Sequence, residues 1–266
     1  MKTMTWTLRM LRACALPALL AWSVTAISAA NPDQDAFVVQ QKFSQAIQDG
    51  NPDKVIDLLH KDLIDEVDRP VLHAWMTAVK EHLGDVKTLN KQSFRGAVKY
   101  DKQGEKQVRV LHSKGKIPFT QGAAQSELWV YEGKIIRFEV NSEKIPATWI
   151  KEIQDTELYR QEGAAFLKVF LEGDDEAAFG LEHETFRKVM PRRKLKEMSE
   201  EIKKNVGTVK KITWKSEEFD IQPDKYKLKV RYKVDCEKES TIAVVEFQFL
   251  KMQGWIVGFD LTGKGK

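Results

Sequence analysis

Apolar and charged residues alternate without a slip from Tyr226 to Cys236. Tyr226, Leu228, Val230, Tyr232, Val234 and Cys236 point one way; Lys227, Lys229, Arg231, Lys233 and Asp235 point the other. Period two with one apolar and one charged set predicts a strand with a buried face and a wet face. The runs "TIAVVEFQFL" and "GWIVGFDL" complete an antiparallel set, and "KQVRVLHS", "QSELWVYE" and "GKIIRFEV" form a matching set earlier in the chain. Ahead of each set the period changes to that of a helix. Val39, Phe43, Ala46 and Ile47 share one helical face, Gly50 is placed to end it, and Asn51-Pro52 caps and opens a short helix carrying Val55, Ile56, Leu58 and Leu59. Pro70 opens a third helix striped by Leu72, Trp75, Met76, Val79 and Leu83, and Gly84 stops it. After Gly173 and Asp174 the order recurs, with Pro191 ahead of the stripe Leu195, Met198, Ile202 and Val206. Helices followed by a run of strands indicate an α+β fold with helices packed on one face of a sheet.

The two halves match residue by residue. Phe43 pairs with Phe166, Gly50 with Gly173, His60 with His183, Leu72 with Leu195, Val79 with Ile202, Gly84 with Gly207 and Val86 with Val209, all at one offset of 123. The offset drifts to 121 at the end, where "GKIIRFEV" meets "GWIVGFDL" and Gly133, Ile135 and Phe138 face Gly254, Ile256 and Phe259. Two repeats of this length are a tandem duplication. Three helices ahead of an antiparallel sheet, with Gly after the first and third, resemble the cone-shaped fold of nuclear transport factor two, ketosteroid isomerase and the SnoaL-type cyclases. The nearest likeness is a small exported bacterial branch with "F…G…L…L…G" spacing. The resemblance covers nearly all of residues 31–266, twice over. It implies two tandem cone-like domains, residues 31–145 and 146–266, each with three N-terminal helices on a curved antiparallel sheet. It also implies that the open face of a sheet is the usual dimer surface. The same fold hosts enzymes, carriers and scaffolds, so it implies no one activity.

Residues 1–30 have the order of a signal peptide: "MKTMTWTLRMLR" is basic, "ACALPALLAWSVTAI" is apolar, and Ser28 and Ala30 are small residues ahead of a cut. The expectation is export to the periplasm or medium with cleavage after Ala30 and no membrane span afterwards; an uncleaved anchor is the other reading. The chain has 266 residues, 31% charged and 42% hydrophobic, with net charge +4. Lys2, Arg9 and Arg12 supply three of those charges, so the expected mature chain carries +1 and no global attraction for nucleic acid. Of the two cysteines Cys14 lies in the leader, leaving Cys236 as a lone thiol.

The candidate chemistry is sparse. His60 and His183 occupy equivalent positions, as pocket bases or as histidines in the last turn of the short helix, where the helix dipole favours a cation. Tyr226, Tyr232 and His112 are assigned to inward faces, where they would line a cone pocket or serve as core residues with a bonded polar tip. Asp235, Glu246 and Asp260 alternate to the wet side, and no catalytic residue is carried over from the isomerases. The five histidines show no metal spacing, and no cofactor is expected. Lys227, Lys229, Arg231 and Lys233, with Lys203, Lys204, Lys210 and Lys211, would bind an anionic polymer or form a solvated face with cross-strand ion pairs. In the first unit Trp129 and Tyr131 oppose Leu128 and Val130, and Leu111 is assigned to the same outward side. Leu111, Trp129 and Tyr131 are therefore the candidate interface, facing a protein partner or a second copy. The leading reading is a non-catalytic binding or assembly module; the alternative is a binder of a small apolar ligand, or an isomerase-like enzyme using one cone.

Overall fold

The computed structural model describes residues 31–103, 106–222 and 225–262. The leader and its cleavage site lie outside the described residues. Among the described residues no helix is long and apolar enough to cross a membrane.

The chain divides into two compact units between Ile153 and Gln154. The first contains helices α1 (Pro32–Gln48), α2 (Pro52–Ile56), α3 (Lys61–Ile64) and α4 (Arg69–Leu83). Strands β1 (Phe94–Gln103), β2 (Lys106–Pro118), β3 (Ala123–Tyr131) and β4 (Lys134–Asn141) follow. The second repeats the order: α5 (Glu157–Glu172), α6 (Asp175–Gly180), α7 (Glu184–Val189) and α8 (Arg192–Val206), then β5 (Val209–Gln222), β6 (Lys225–Cys236), β7 (Ser240–Leu250) and β8 (Gln253–Thr262). Each unit builds one four-stranded antiparallel meander, in the orders β1-β2-β3-β4 and β5-β6-β7-β8.

Three details differ from the expectations. Among the described residues each unit has four α-helices, because α3 and α7 follow the second helix as separate short turns. Each sheet has a first strand, β1 or β5, that the sequence reading did not assign; six of the fourteen residues of β5 are charged and none is buried, so its period-two signal is faint. The unit boundary falls after the 3-10 turn Ala147–Glu152, which packs on α4 and buries Trp149 and Ile150.

The joints of the two units are the same. Gly84 and Gly207 end α4 and α8 at φ 77°, ψ −155° and φ 81°, ψ −162°, a region that glycine alone occupies without strain. In both, the next amide is held by a side chain from the central hairpin: Asp85 N–H donates to Thr120 Oγ1 at 3.0 Å, and Thr208 N–H to Glu237 Oε2 at 3.1 Å. The segment ahead of α3 lies along β4 in parallel, with His60 N–H donating to the Ile135 carbonyl at 2.8 Å. In the second unit His183 N–H donates to the Ile256 carbonyl at 2.9 Å.

The match of Gly133 with Gly254 is not structural. Gly133 sits at φ 77° in the β3–β4 turn, whereas Gly254 lies inside β8, opposite Phe249. Between the equivalent pairs Val130↔Ile135 and Phe247↔Ile256 the second hairpin is four residues longer. Its tip carries Phe249 against Tyr159, with ring centroids 5.2 Å apart. A Cβ on Gly254 would stand 2.6 Å from the Tyr159 ring. The two glycines are the same letter required for two reasons, a turn and a close ring contact.

The helix–sheet layers are packed with rings. In the first unit Phe43 and Trp75 meet Phe138 at 5.6 and 6.3 Å. In the second, Phe166, Phe170 and Phe186 meet Phe259 at 5.1, 4.7 and 6.2 Å.

Candidate functional site

The inward tyrosines are core residues. Tyr226 is 4% exposed, and Tyr232 is 1% exposed with its hydroxyl donating to the Arg160 carbonyl of α5 at 2.8 Å. Gly163 on α5 makes room for that ring, since a Cβ there would lie 2.3 Å from the Tyr232 oxygen. Burial raises the phenol far above its ordinary range, so it stays a neutral donor.

His60 and His183 do not end a helix; each begins one. His60 Nδ1 accepts from the Asp62 amide at 3.4 Å ahead of α3, and His183 Nδ1 accepts from the Thr185 amide at 3.2 Å ahead of α7. At His183 an accepting Nδ1 belongs to a neutral ring with its proton on Nε2. Burial lowers the His183 imidazole accordingly. The expected place in the last turn of a helix is thus replaced by an N-cap, with the ring nitrogen accepting the amide two residues on.

His112 and Leu111 exchange the faces assigned to them. Leu111 is 3% exposed on the helix side, in line with Ser113, whose hydroxyl accepts from Gln40 of α1 at 3.1 Å. His112 stands on the outer face. The sequence reading set His112 inward and Leu111 outward, but the buried register from residue 111 onward runs through Leu111, Ser113, Gly115 and Ile117. Ser113 and Gly115 are small because α1 and the Phe94 ring press on them, and small residues hide the alternation.

On that outer face three strands bring a row of side chains together. The Trp129 ring on β3 stacks on His112 of β2 at 4.6 Å and 16°, and the Arg137 guanidinium of β4 lies 4.0 Å from its centroid. His112 Nε2 donates to Glu127 at 3.0 Å, Lys114 pairs with Glu127 at 2.5 Å, and Arg137 pairs with Glu139. Burial lowers the His112 imidazole, against the Glu127 carboxylate that pulls it up. A bulge between Trp129 and Val130 follows, and Tyr131 lies 6.1 Å from the His60 ring. Trp129 and Tyr131 are partly buried, as is Arg137.

The outer face of the second sheet is built differently. Lys227 pairs with Glu246 at 2.6 Å, Lys229 with Asp220 at 3.1 Å, Arg231 with Glu218 at 3.7 Å and Lys233 with Asp235 at 2.7 Å. The basic stripe is a ladder of ion pairs, each exposed pair contributing at most about 1 kcal/mol. By strand register Trp129 corresponds to Glu246 and Arg137 to Gly258.

One residue that the sequence reading passed over stands out. Glu182 is 0% exposed, in the layer between α7 and β8. Neither carboxyl oxygen has a hydrogen-bond partner among the described residues, nor does the buried Nε of Arg187 five residues on. Burial pushes the Glu182 carboxyl up to about 7, against the Arg187 guanidinium that pulls it down. The equivalent position in the first unit is Leu59, 2% exposed, with the same parallel bridge to its sheet. The offset of 123 that joins His60 to His183 also sets Leu59 against Glu182, so the signal was present in the alignment. No group of three or more His, Cys, Asp or Glu side chains among the described residues is arranged to hold a metal ion. No family model, no curated protein and no solved structure matches this chain.

Proposed function

We propose that the chain is a non-catalytic assembly module of an exported protein, built from a duplicated cone fold and self-associating through the outer sheet face of its first unit. The observation that carries the reading is a difference between the two copies. The second unit closes its outer face with four ion pairs, while the first places Trp129 among His112 and Arg137, with Tyr131 beyond the bulge. Aromatic residues and arginine contribute most of the binding energy at protein interfaces, whereas solvated lysine–carboxylate pairs contribute little. The ring-filled helix–sheet layers of both units, Phe43, Trp75 and Phe138 in one and Phe166, Phe170 and Phe259 in the other, favour a surface over a pocket. Sedimentation equilibrium tests the reading. The double variant Trp129→Ser, Tyr131→Ser is expected to weaken self-association by about tenfold or more while both units stay folded. An association constant equal to that of the wild type overturns it.

A further inference from the structure

We propose that Glu182 is a proton-operated latch, holding residues 182–189 on the edge strand β8 in its protonated form and loosening that segment when it ionises. The position itself is the first support. Glu182 fills the place of a core leucine, fully buried, with both oxygens unpartnered among the described residues. A neutral carboxyl in such a place costs far less than a carboxylate. The second support is what the residue anchors. The parallel bridge to Ile256, the 2.9 Å bond from the His183 amide to the Ile256 carbonyl and the ring contacts His183–Trp255 and Phe186–Phe259 are among the attachments of this segment to β8.

The charges around it do not satisfy the carboxylate. From α7 the Arg187 guanidinium acts on Glu182, with its Nη2 donating to the Gly180 carbonyl at 2.8 Å and its Cζ 5.1 Å from the Phe179 ring centroid. Glu184 and Lys188 pair with each other at 3.1 Å on the exposed side of α7. His183 is engaged as the cap of α7, and Lys251 in the hairpin turn acts on that imidazole. At the bridge β8 presents Ile256 flanked by Trp255 and Val257, all uncharged. On α6, Asp175 and Glu176 are both taken by Arg192.

The sign is fixed by linkage. A carboxyl raised from 4.5 to about 7 in the closed form stabilises that form fully below pH 4.5, and the stabilisation is lost as pH rises to about 7. His183, whose imidazole is lowered by burial, acts in the opposite direction, since its protonation opposes closure at low pH.

The duplication supplies an internal control. The His60 amide makes the same bond to the first sheet, with Leu59 in place of the glutamate. Amide hydrogen exchange of the full chain, read by NMR from pH 4.5 to 8 and corrected for intrinsic rates, tests the latch. Protection of the His183 amide is expected to fall relative to that of His60, approaching tenfold per pH unit between about 4.5 and 7 and levelling off above. Glu182→Gln, and Glu182→Leu with the residue of the first unit, are expected to remove that fall. Parallel pH responses at the two amides overturn the proposal, as does a fall that persists in either variant. Re-pairing of Arg187 with the carboxylate without loss of the segment would give the first of these results.

Discussion

A leucine in one copy and a glutamate in the other separate the two units at one fully buried position. Leu59 closes its layer with apolar contacts, and Glu182 places a carboxyl in the same spot. The rise from 4.5 to about 7 corresponds to roughly 3 kcal/mol lost by the ionised form. Glu182→Leu is therefore expected to stabilise the second unit by about 2–3 kcal/mol at pH 8. The gain should shrink toward pH 4.5, where the native carboxyl is already neutral. Urea unfolding at the two pH values checks this, and an equal gain at both would refute the linkage. The alternation of Tyr226 to Cys236 was plain in the sequence because every inward residue there is apolar or aromatic and every outward one is charged. His112 and Leu111 were misassigned because their buried neighbours, Ser113 and Gly115, are small where α1 and Phe94 press close. Glu182 was legible only by comparison with Leu59, since one acidic letter in "LEHETF" resembles any surface glutamate.

At the scale of elements, the helix stops were the most readable features, and the structure explains why. A Cβ on Gly84 would lie 2.0 Å from Thr120 Oγ1, and one on Gly207 would lie 2.9 Å from Glu237. Both backbones also need a positive φ. Gly84→Ala is expected to cost about 3 kcal/mol or more and Gly207→Ala somewhat less, the strain alone being about 1–3 kcal/mol. Gly133 has a positive φ but nothing within 4 Å of its would-be Cβ. Gly133→Asn should cost under about 1 kcal/mol, because asparagine tolerates the left-handed region. Guanidinium unfolding of the three variants ranks them, and a Gly133 variant as damaged as Gly84→Ala would contradict the geometry. Less readable were the short helices α3 and α7. Each is set by a histidine accepting the amide two residues on, a capping role that histidine rarely signals. The longer β7–β8 hairpin was also hidden, because a glycine stood where the alignment wanted one and a pairing extended by two rungs leaves no mark on the apolar period.

At the scale of the whole chain, duplication provides two copies of one frame and so a comparison within one molecule. Among the described residues the frame is the same where it must be: four α-helices, a four-stranded meander, a glycine stop with a hairpin side chain on the next amide, and a histidine cap tied to the last strand. It departs at the outer sheet faces and at position 182. Frame features serve folding, and departures free to vary are where function is sought. The central claim is that the outer face of the first unit is the assembly surface. Hydroxyl-radical footprinting at rising protein concentration tests it most directly, because Trp214 of the second unit, 43% exposed beneath Arg160, is an internal reference. Oxidation of Trp129 and Tyr131 should fall severalfold as concentration passes through the association range, while that of Trp214 stays constant. Concentration-independent oxidation of Trp129 and Tyr131, or protection of Trp214 instead, would contradict the account.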